Sequence, residues 1–258
     1  MKRIMLTVAY DGTAYCGWQL QPTGLSVEEV LNGALSRLLK EDIQVKGVSR
    51  TDSGVHALAN LCIFDTESRI PAEKYAWAVN EYLPRDIVVR KSEEVPPDFH
   101  PRKCDSIKTY EYTLYCDRLP NPIRSRYTSF CYRQLDVEKM RQGAAYLVGE
   151  HDFKSFCSLG SQAETTVRRV TALTLEERGH ELVIRISGTG FLYNMVRIIV
   201  GTLLRVGTGF WPPEQVERIL EARDRQAAGP KAPAEGLCLM EIRLYPEGFP
   251  EELTREWT

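Results

Sequence analysis

The sequence predicts an α+β protein in which the element order β-α-β-β-α-β is used twice, as in a split βαβ unit. In the first half, apolar residues alternate at Ile4, Leu6 and Val8, which predicts a strand. The same order of elements returns in the second half. The proline-rich segment 95–102 lies between the halves and disfavours helix. We therefore expect two domains, residues 1–100 and 101–258, whose antiparallel sheets lie side by side around a central cleft.

A helix is predicted after Ser26 in the first half, because Ser26 and Glu29 match a capping box. Apolar residues then recur at steps of three and four, which marks one buried stripe. These residues are Val27, Val30, Leu31, Ala34, Leu35, Leu38 and Leu39. Strands are expected near 43–48 and 61–64, a helix after Pro71, and a strand at 87–89.

The second half begins with a strand in which Tyr110, Tyr112 and Leu114 share one face. Its further expected elements are a helix at 137–147, strands at 170–175 and 182–186, a helix at 191–206 and a strand at 237–244. Arg197 lies on the flank of the apolar stripe of the helix 191–206. Its charge either reaches water or needs an acidic partner.

The composition is typical of a globular protein, with 43% apolar and 26% charged residues in 258. We expect a cytosolic location without membrane insertion, because no export signal opens the chain and the longest apolar stretch, 191–206, contains two arginines. The seven cysteines are scattered and never spaced Cys-x-x-Cys. They therefore suggest reduced thiols rather than a disulfide framework or a zinc site.

Charge is distributed unevenly along the chain, although the formal net charge is only −2. From Pro101 to Arg133 there are seven lysines or arginines against three acids, whereas glutamates predominate after residue 240. Such a basic stretch can follow the phosphates of a nucleic acid. It is equally typical of an ordinary solvated surface.

The segment GVSRTDSGVHAL at 47–58 carries the main candidate for chemistry, Asp52. A carboxylate near Arg50 is a candidate nucleophile or base, and Gly54 can adopt the positive φ that a shaped loop needs. Asp-Ser-Gly is also an ordinary turn signature, so the residues alone leave both interpretations open. No glycine-rich phosphate loop and no cluster of histidines is present, and we expect neither a cofactor nor a metal ion.

Residues 50–57, RTDSGVHA, resemble the signature of the tRNA pseudouridine synthase A family. Four further segments agree with that family in the same order along nearly the whole chain. They are Tyr10-Asp11-Gly12 with Gly17-Trp18-Gln19, and the stretches 149–153, 191–204 and 229–237. Ser53 stands where many members carry alanine, a small change that leaves Asp52 in place.

The resemblance implies the pseudouridine synthase fold, built of two ferredoxin-like or RRM-like halves. It also implies the roles of the site residues. Asp52 would be the nucleophile, Arg197 would pair with it, and Tyr110 would stack on the target base and assist proton transfer. Arg50 would help to hold the displaced strand or the flipped nucleotide, although a salt bridge with Asp52 is an alternative role.

The implied reaction is the isomerisation of uridine to pseudouridine in the anticodon stem-loop of tRNA, at positions 38, 39 and 40, without a cofactor. Arg102, Lys103 and Arg168 would contact RNA phosphates. The family also implies a homodimer that binds the anticodon arm of tRNA. Whether Asp52 attacks the base or the sugar is left open.

Two functions from other classes compete with this interpretation. A non-catalytic RNA-binding protein of the RRM type would share the sheet backed by two helices, but no strand carries an aromatic RNP run. A glycoside or nucleoside hydrolase would normally require two carboxylates at its site, and only Asp52 is a strong candidate for a catalytic carboxylate here.

Overall fold

A computed structural model describes residues 1–255 and 257 of the chain. The chain divides into two compact units. The first comprises Met1–Asp105 and Cys238–Gly248, and the second comprises Ser106–Leu237 with the C-terminal segment from Phe249. The division predicted after residue 100 did not anticipate that the chain returns to the first unit near its end.

The observed elements form an α+β protein, as predicted. The strands are β1 (Lys2–Tyr10), β2 (Lys46–Gly47), β3 (His56–Thr66), β4 (Ile87–Val95), β5 (Asp105–Cys116), β6 (Ser129–Cys131), β7 (Gly149–Asp152), β8 (Val167–Arg178), β9 (Glu181–Gly188) and β10 (Leu237–Tyr245). The helices are α1 (Val27–Leu39), α2 (Tyr75–Asn80), α3 (Val137–Ala145), α4 (Met195–Gly207), α5 (Gln215–Ala222) and α6 (Glu251–Arg255). No helix within residues 1–255 and 257 is long and apolar enough to span a membrane.

The sheet of the first unit has the strand order β4, β1, β3 and β10, with β2 paired to β3. Buried and half-buried residues alternate along β1, as its sequence predicts. β1 is antiparallel to both β3 and β4. β10 is parallel to β3, with Cys238 opposite His56. The pairing of β10 with β3 thus holds the segment Cys238–Gly248 in the first unit.

Helix α1 follows the capping box that the sequence predicts. The side chain of Ser26 accepts a hydrogen bond from the backbone N–H of Glu29 at 3.2 Å. Val27, Leu31 and Leu35 on the predicted stripe are fully buried. The succession β1, α1, β2, β3, α2 and β4 confirms the predicted order β-α-β-β-α-β of the first half.

The sheet of the second unit has the order β5, β9, β8 and β7, all antiparallel, and the short strand β6 runs parallel to β5. Four elements here were not predicted, namely β6, β7, α5 and α6. The predicted helix 191–206 begins only at Met195, because Asn194 adopts the left-handed conformation with φ of 61°. Asparagine tolerates this conformation better than most residues, so it can end the preceding loop at that point.

Candidate active site

Asp52 occupies the first position of a tight turn in the loop between β2 and β3. The backbone N–H of Val55 donates to the carbonyl of Asp52 at 3.1 Å, and Gly54 has φ of 79°. A positive φ at the third residue is what a type II turn requires. The expected positive φ of Gly54 is therefore confirmed. Asp52 itself is half-buried and keeps partial access to solvent.

The Asp52 turn rests directly on the segment 12–18, where two glycines allow a close approach of backbones. A β-carbon on Gly17, whose φ is 108°, would lie 2.5 Å from the carbonyl oxygen of Thr51. A β-carbon on Gly12 would overlap the carbonyl of Val55. In addition, the N–H of Gly54 donates to the carbonyl of Tyr15 at 3.2 Å. The turn is thus fixed by main-chain contacts that tolerate little displacement.

A buried polar network supports the same loop from the sheet side. The hydroxyl groups of Tyr10 and Thr51 are hydrogen-bonded at 2.8 Å. The side-chain amide of Asn60 donates to the Tyr10 hydroxyl at 3.2 Å and to the carbonyl of Ser49 at 3.0 Å. Because these groups are buried, their hydrogen bonds are costly to break and hold the residues just before Asp52 in place.

The three basic residues predicted in the first unit lie on its surface. Arg50, Arg102 and Lys103 are all exposed. The Nε of Arg102 donates to the carbonyl of Gly47 at 2.7 Å, so this side chain lies beside the segment that leads to Asp52. A role for these residues toward RNA stays a prediction.

Tyr110 lies on β5 in the second unit, opposite Ile186 on β9. Its side chain is largely buried, and its ring meets that of Phe191 edge to face, with centroids 5.3 Å apart. Tyr112 shares the same strand face but is fully buried, and its hydroxyl donates to the carbonyl of Pro233 at 2.9 Å. Burial raises the pKa of the Tyr112 phenol above its usual range. Tyr112 is therefore a core residue, and this distinguishes it from Tyr110.

Arg197 lies in the first turn of α4 and is only 8% exposed. Its Nε donates to the carbonyl of Ala232 at 2.8 Å, and its Nη1 donates to Oδ1 of Asn194 at 3.2 Å. The interpretation in which its charge reaches water is therefore wrong. Carbonyl and amide oxygens satisfy donors but do not neutralise a buried positive charge, for which a carboxylate is the suitable partner.

The position of the Arg197 side chain depends on how the loop 228–233 crosses α4. A β-carbon on Gly201 would overlap the carbonyl oxygen of Pro230. The N–H of Gly229 donates to the hydroxyl of Thr202 at 3.0 Å, and the N–H of Ala232 donates to the carbonyl of Arg197 at 3.0 Å. The loop thus touches the helix through main-chain atoms, which only glycine at this crossing permits.

Arg168, the remaining predicted phosphate contact, is half-buried on β8. Its Nη1 donates to the carbonyls of Thr165 at 2.9 Å and Val167 at 2.6 Å, and burial lowers its pKa. The Nη1 of this guanidinium group is therefore engaged with its own chain.

The predicted site residues are divided between the two units. The first unit holds Asp52, Arg50, Arg102 and Lys103, and the second holds Tyr110, Arg168 and Arg197. Within the second unit, Tyr110 contacts Phe191 and Arg197 contacts Asn194, so both are connected through the segment 191–194. Sequence reasoning did not assign Phe191 or Asn194 to the site, although both lie in the stretch that carries the family resemblance. Across the described residues, no group of three or more histidines, cysteines or acids could hold a metal ion.

The chain is similar in sequence to known proteins over most of its length. A sequence profile described as tRNA pseudouridine synthase matches residues 6–102 and 144–246, which include Asp52 and Arg197. The chain is 44% identical over 242 residues to tRNA pseudouridine synthase A 2 of Clostridium perfringens, covering 94% of this chain and 99% of that protein. It is 46% identical over 242 residues to tRNA pseudouridine synthase A of Brevibacillus brevis, with the same shares covered. It is 44% identical over 244 residues to that of Geobacter sulfurreducens, covering 95% of this chain and 100% of the relative. The chain therefore belongs to the tRNA pseudouridine synthase family.

Proposed function

We propose that this chain isomerises uridine to pseudouridine in the anticodon stem-loop of tRNA, at positions 38, 39 and 40. The reaction breaks the glycosidic bond from nitrogen to ribose, turns the uracil within the site, and joins the same ribose carbon to a carbon of the base. That base carbon loses its hydrogen as a proton, and the released ring nitrogen gains a proton. No oxidant, reductant or cofactor enters this balance. The observation that carries the proposal is the half-buried carboxylate of Asp52 on a turn fixed by main-chain contacts.

Asp52 is the nucleophile in this proposal and attacks either the base or the ribose. A nucleophile acts fastest when it is held in one geometry before the substrate arrives. The packing of the turn on Gly12 and Gly17 and the network from Tyr10 supply that rigidity. A protein side chain cannot reach the reacting atoms of a uridine inside a stacked stem. The target nucleotide must therefore be extruded, and its unstacking costs on the order of a few kcal/mol.

Arg197 is proposed to pair with Asp52 and to keep it ionised. Its burial supports this role, since a buried guanidinium ion requires an anionic partner and the partner gains a lower pKa from the cation. The hydrogen bonds to Ala232 and Asn194 fix the direction of the guanidinium group.

Tyr110 is proposed to stack on the uracil and to assist proton transfer. For Tyr110→Phe we expect tRNA affinity to change less than about twofold and turnover to fall roughly 10²-fold, since the ring stays but the hydroxyl is lost. Tyr112→Phe is the matched control, because Tyr112 is two residues along the same strand face. It should cost about 1 kcal/mol of stability and leave turnover unchanged. Full turnover by Tyr110→Phe would contradict the proton-transfer role.

The remaining parts of the proposal concern RNA contacts, assembly and location. Arg50, Arg102, Lys103 and Arg168 contact the RNA, mainly at phosphates, which position the substrate without reading its sequence. Two copies of the chain form a homodimer that binds the anticodon arm. The location is the cytoplasm of the cell, where the substrate tRNA is found.

The function is tested by incubating the purified protein, without metal or nucleotide, with an unmodified tRNA transcript. Pseudouridine is then mapped chemically at single-nucleotide resolution. We expect new pseudouridine only at positions 38, 39 and 40. Product at other positions would contradict the substrate assignment, and tight binding without product would favour the non-catalytic RNA-binding function.

A further inference from the structure

Two of the seven cysteines are direct partners in the sheet of the second unit. β5 ends at Cys116, β6 ends at Cys131, and the two residues lie opposite each other in the parallel pairing of these strands. Neighbouring strands are about 4.8 Å apart, and opposite residues direct their side chains to the same face. Disulfides need α-carbons about 4.4–6.8 Å apart. A bond between these two sulfur atoms therefore requires little movement of the backbone.

The backbone around the cysteine pair is held in place on both strands. The N–H of Cys116 donates to the carbonyl of His180 at 2.7 Å, and the N–H of Asp117 donates to the carbonyl of Cys131 at 3.3 Å. Both cysteines are half-exposed, whereas Cys62 and Cys157 are buried. A surface cavity of about 400 Å³ lies beside the pair and is lined by Cys116. The cavity thus gives a small polar reagent a path to Cys116, and the half-exposed Cys131 can be reached from solvent.

The two thiol groups have different acidities. The hydrogen bond from Cys116 lowers the pKa of the Cys131 thiol to about 6, and Arg133 acts in the same direction against the effect of burial. The same hydrogen bond, with burial, raises the pKa of Cys116. The other charged or titratable groups around the cavity are Asp117, Arg118, Glu177, His180 and Glu181. Since thiolates are the reactive form, Cys131 is the more nucleophilic member of the pair.

We propose that Cys116 and Cys131 form a peroxide-sensitive dithiol, in which Cys131 is oxidised first and Cys116 then converts the product into a disulfide. In the first step, the Cys131 thiolate attacks one oxygen of hydrogen peroxide, the oxygen–oxygen bond breaks, and sulfenic acid and hydroxide form. In the second step, the sulfur of Cys116 displaces hydroxide from the sulfenic sulfur. The two thiols and one peroxide thus give one disulfide and two water molecules.

The test treats the full-length reduced protein with equimolar hydrogen peroxide and follows its mass. We expect the loss of two hydrogen atoms and, after proteolysis, one cross-linked peptide that joins Cys116 to Cys131. A thiol reductant should restore the original mass. Cys104→Ser is the control, because Cys104 is another half-exposed cysteine, and this variant should form the same disulfide as the unmodified chain.

Single variants test the order of the two steps. Cys116→Ser should accumulate sulfenic acid on Cys131, detected with a dimedone probe, whereas Cys131→Ser should give at least tenfold less labelling at residue 116. Circular dichroism confirms that each variant is folded. A disulfide that joins other cysteines, or equal labelling in the two variants, would overturn the proposal.

Discussion

Replacing Asp52 with asparagine is expected to abolish pseudouridine formation and to leave tRNA binding intact. The amide fills the same volume but cannot act as a nucleophile, and removal of a nucleophile generally costs on the order of 10⁴-fold or more in turnover. The turn should persist, because it is held by the main chain of Gly12, Gly17 and Tyr15 rather than by the carboxylate. Single-turnover assays on a tRNA transcript, with binding measured in parallel, check both parts.

The proposed pairing of Arg197 with Asp52 gives a second prediction, on the pH dependence of activity. A nearby cation favours the ionised carboxylate, so its removal makes the carboxylate protonate at higher pH. As the pH is lowered, the Arg197→Gln variant should therefore lose activity at a higher pH than the unmodified chain does. An unchanged acid limb in kcat/KM would contradict the pairing. Retained turnover by Asp52→Asn would show that the nucleophile is another group.

Gly201→Ala is expected to destabilise the second unit strongly. The new methyl group would overlap the Pro230 carbonyl, and both partners are main-chain atoms that cannot rotate away. We expect a loss of more than about 3 kcal/mol, above the usual range of about 1–3 kcal/mol for overpacking. That loss corresponds to a melting temperature lower by more than about 6 °C, measurable by a thermal scan. Turnover should also fall, because displacement of the loop 228–233 moves the carbonyl of Ala232 away from Arg197.

Gly33→Ala is the matched control for this substitution. Gly33 also lies inside a helix, α1, but a β-carbon there would meet no atom within 4 Å. Alanine should therefore stabilise the protein by about 0.5–1 kcal/mol, because it restricts the unfolded chain and favours helix. Equal effects of the two substitutions would show that helix propensity, not the crossing of the loop, governs Gly201.

Local patterns predicted most of the elements, because strand alternation and helix periodicity depend on residues close in sequence. β1, α1 and the strand face of Tyr110 and Tyr112 were found in this way. Predictions were poorer where a contact distant in sequence decides the structure. The strand β6 has only three residues, which is too short for a periodic pattern in the sequence. The start of α4 depends on the left-handed conformation of Asn194.

The sequence by itself determined the α+β class, the turn at Gly54 and, through its resemblance to a family, the candidate nucleophile Asp52. Only the tertiary structure decided that Arg197 is buried, since a helix pattern does not show which loop covers its flank. The same holds for the return of β10 to β3, which joins residues far apart in the chain. Such contacts arise from close packing between distant segments, and a local sequence pattern carries no information about the partner.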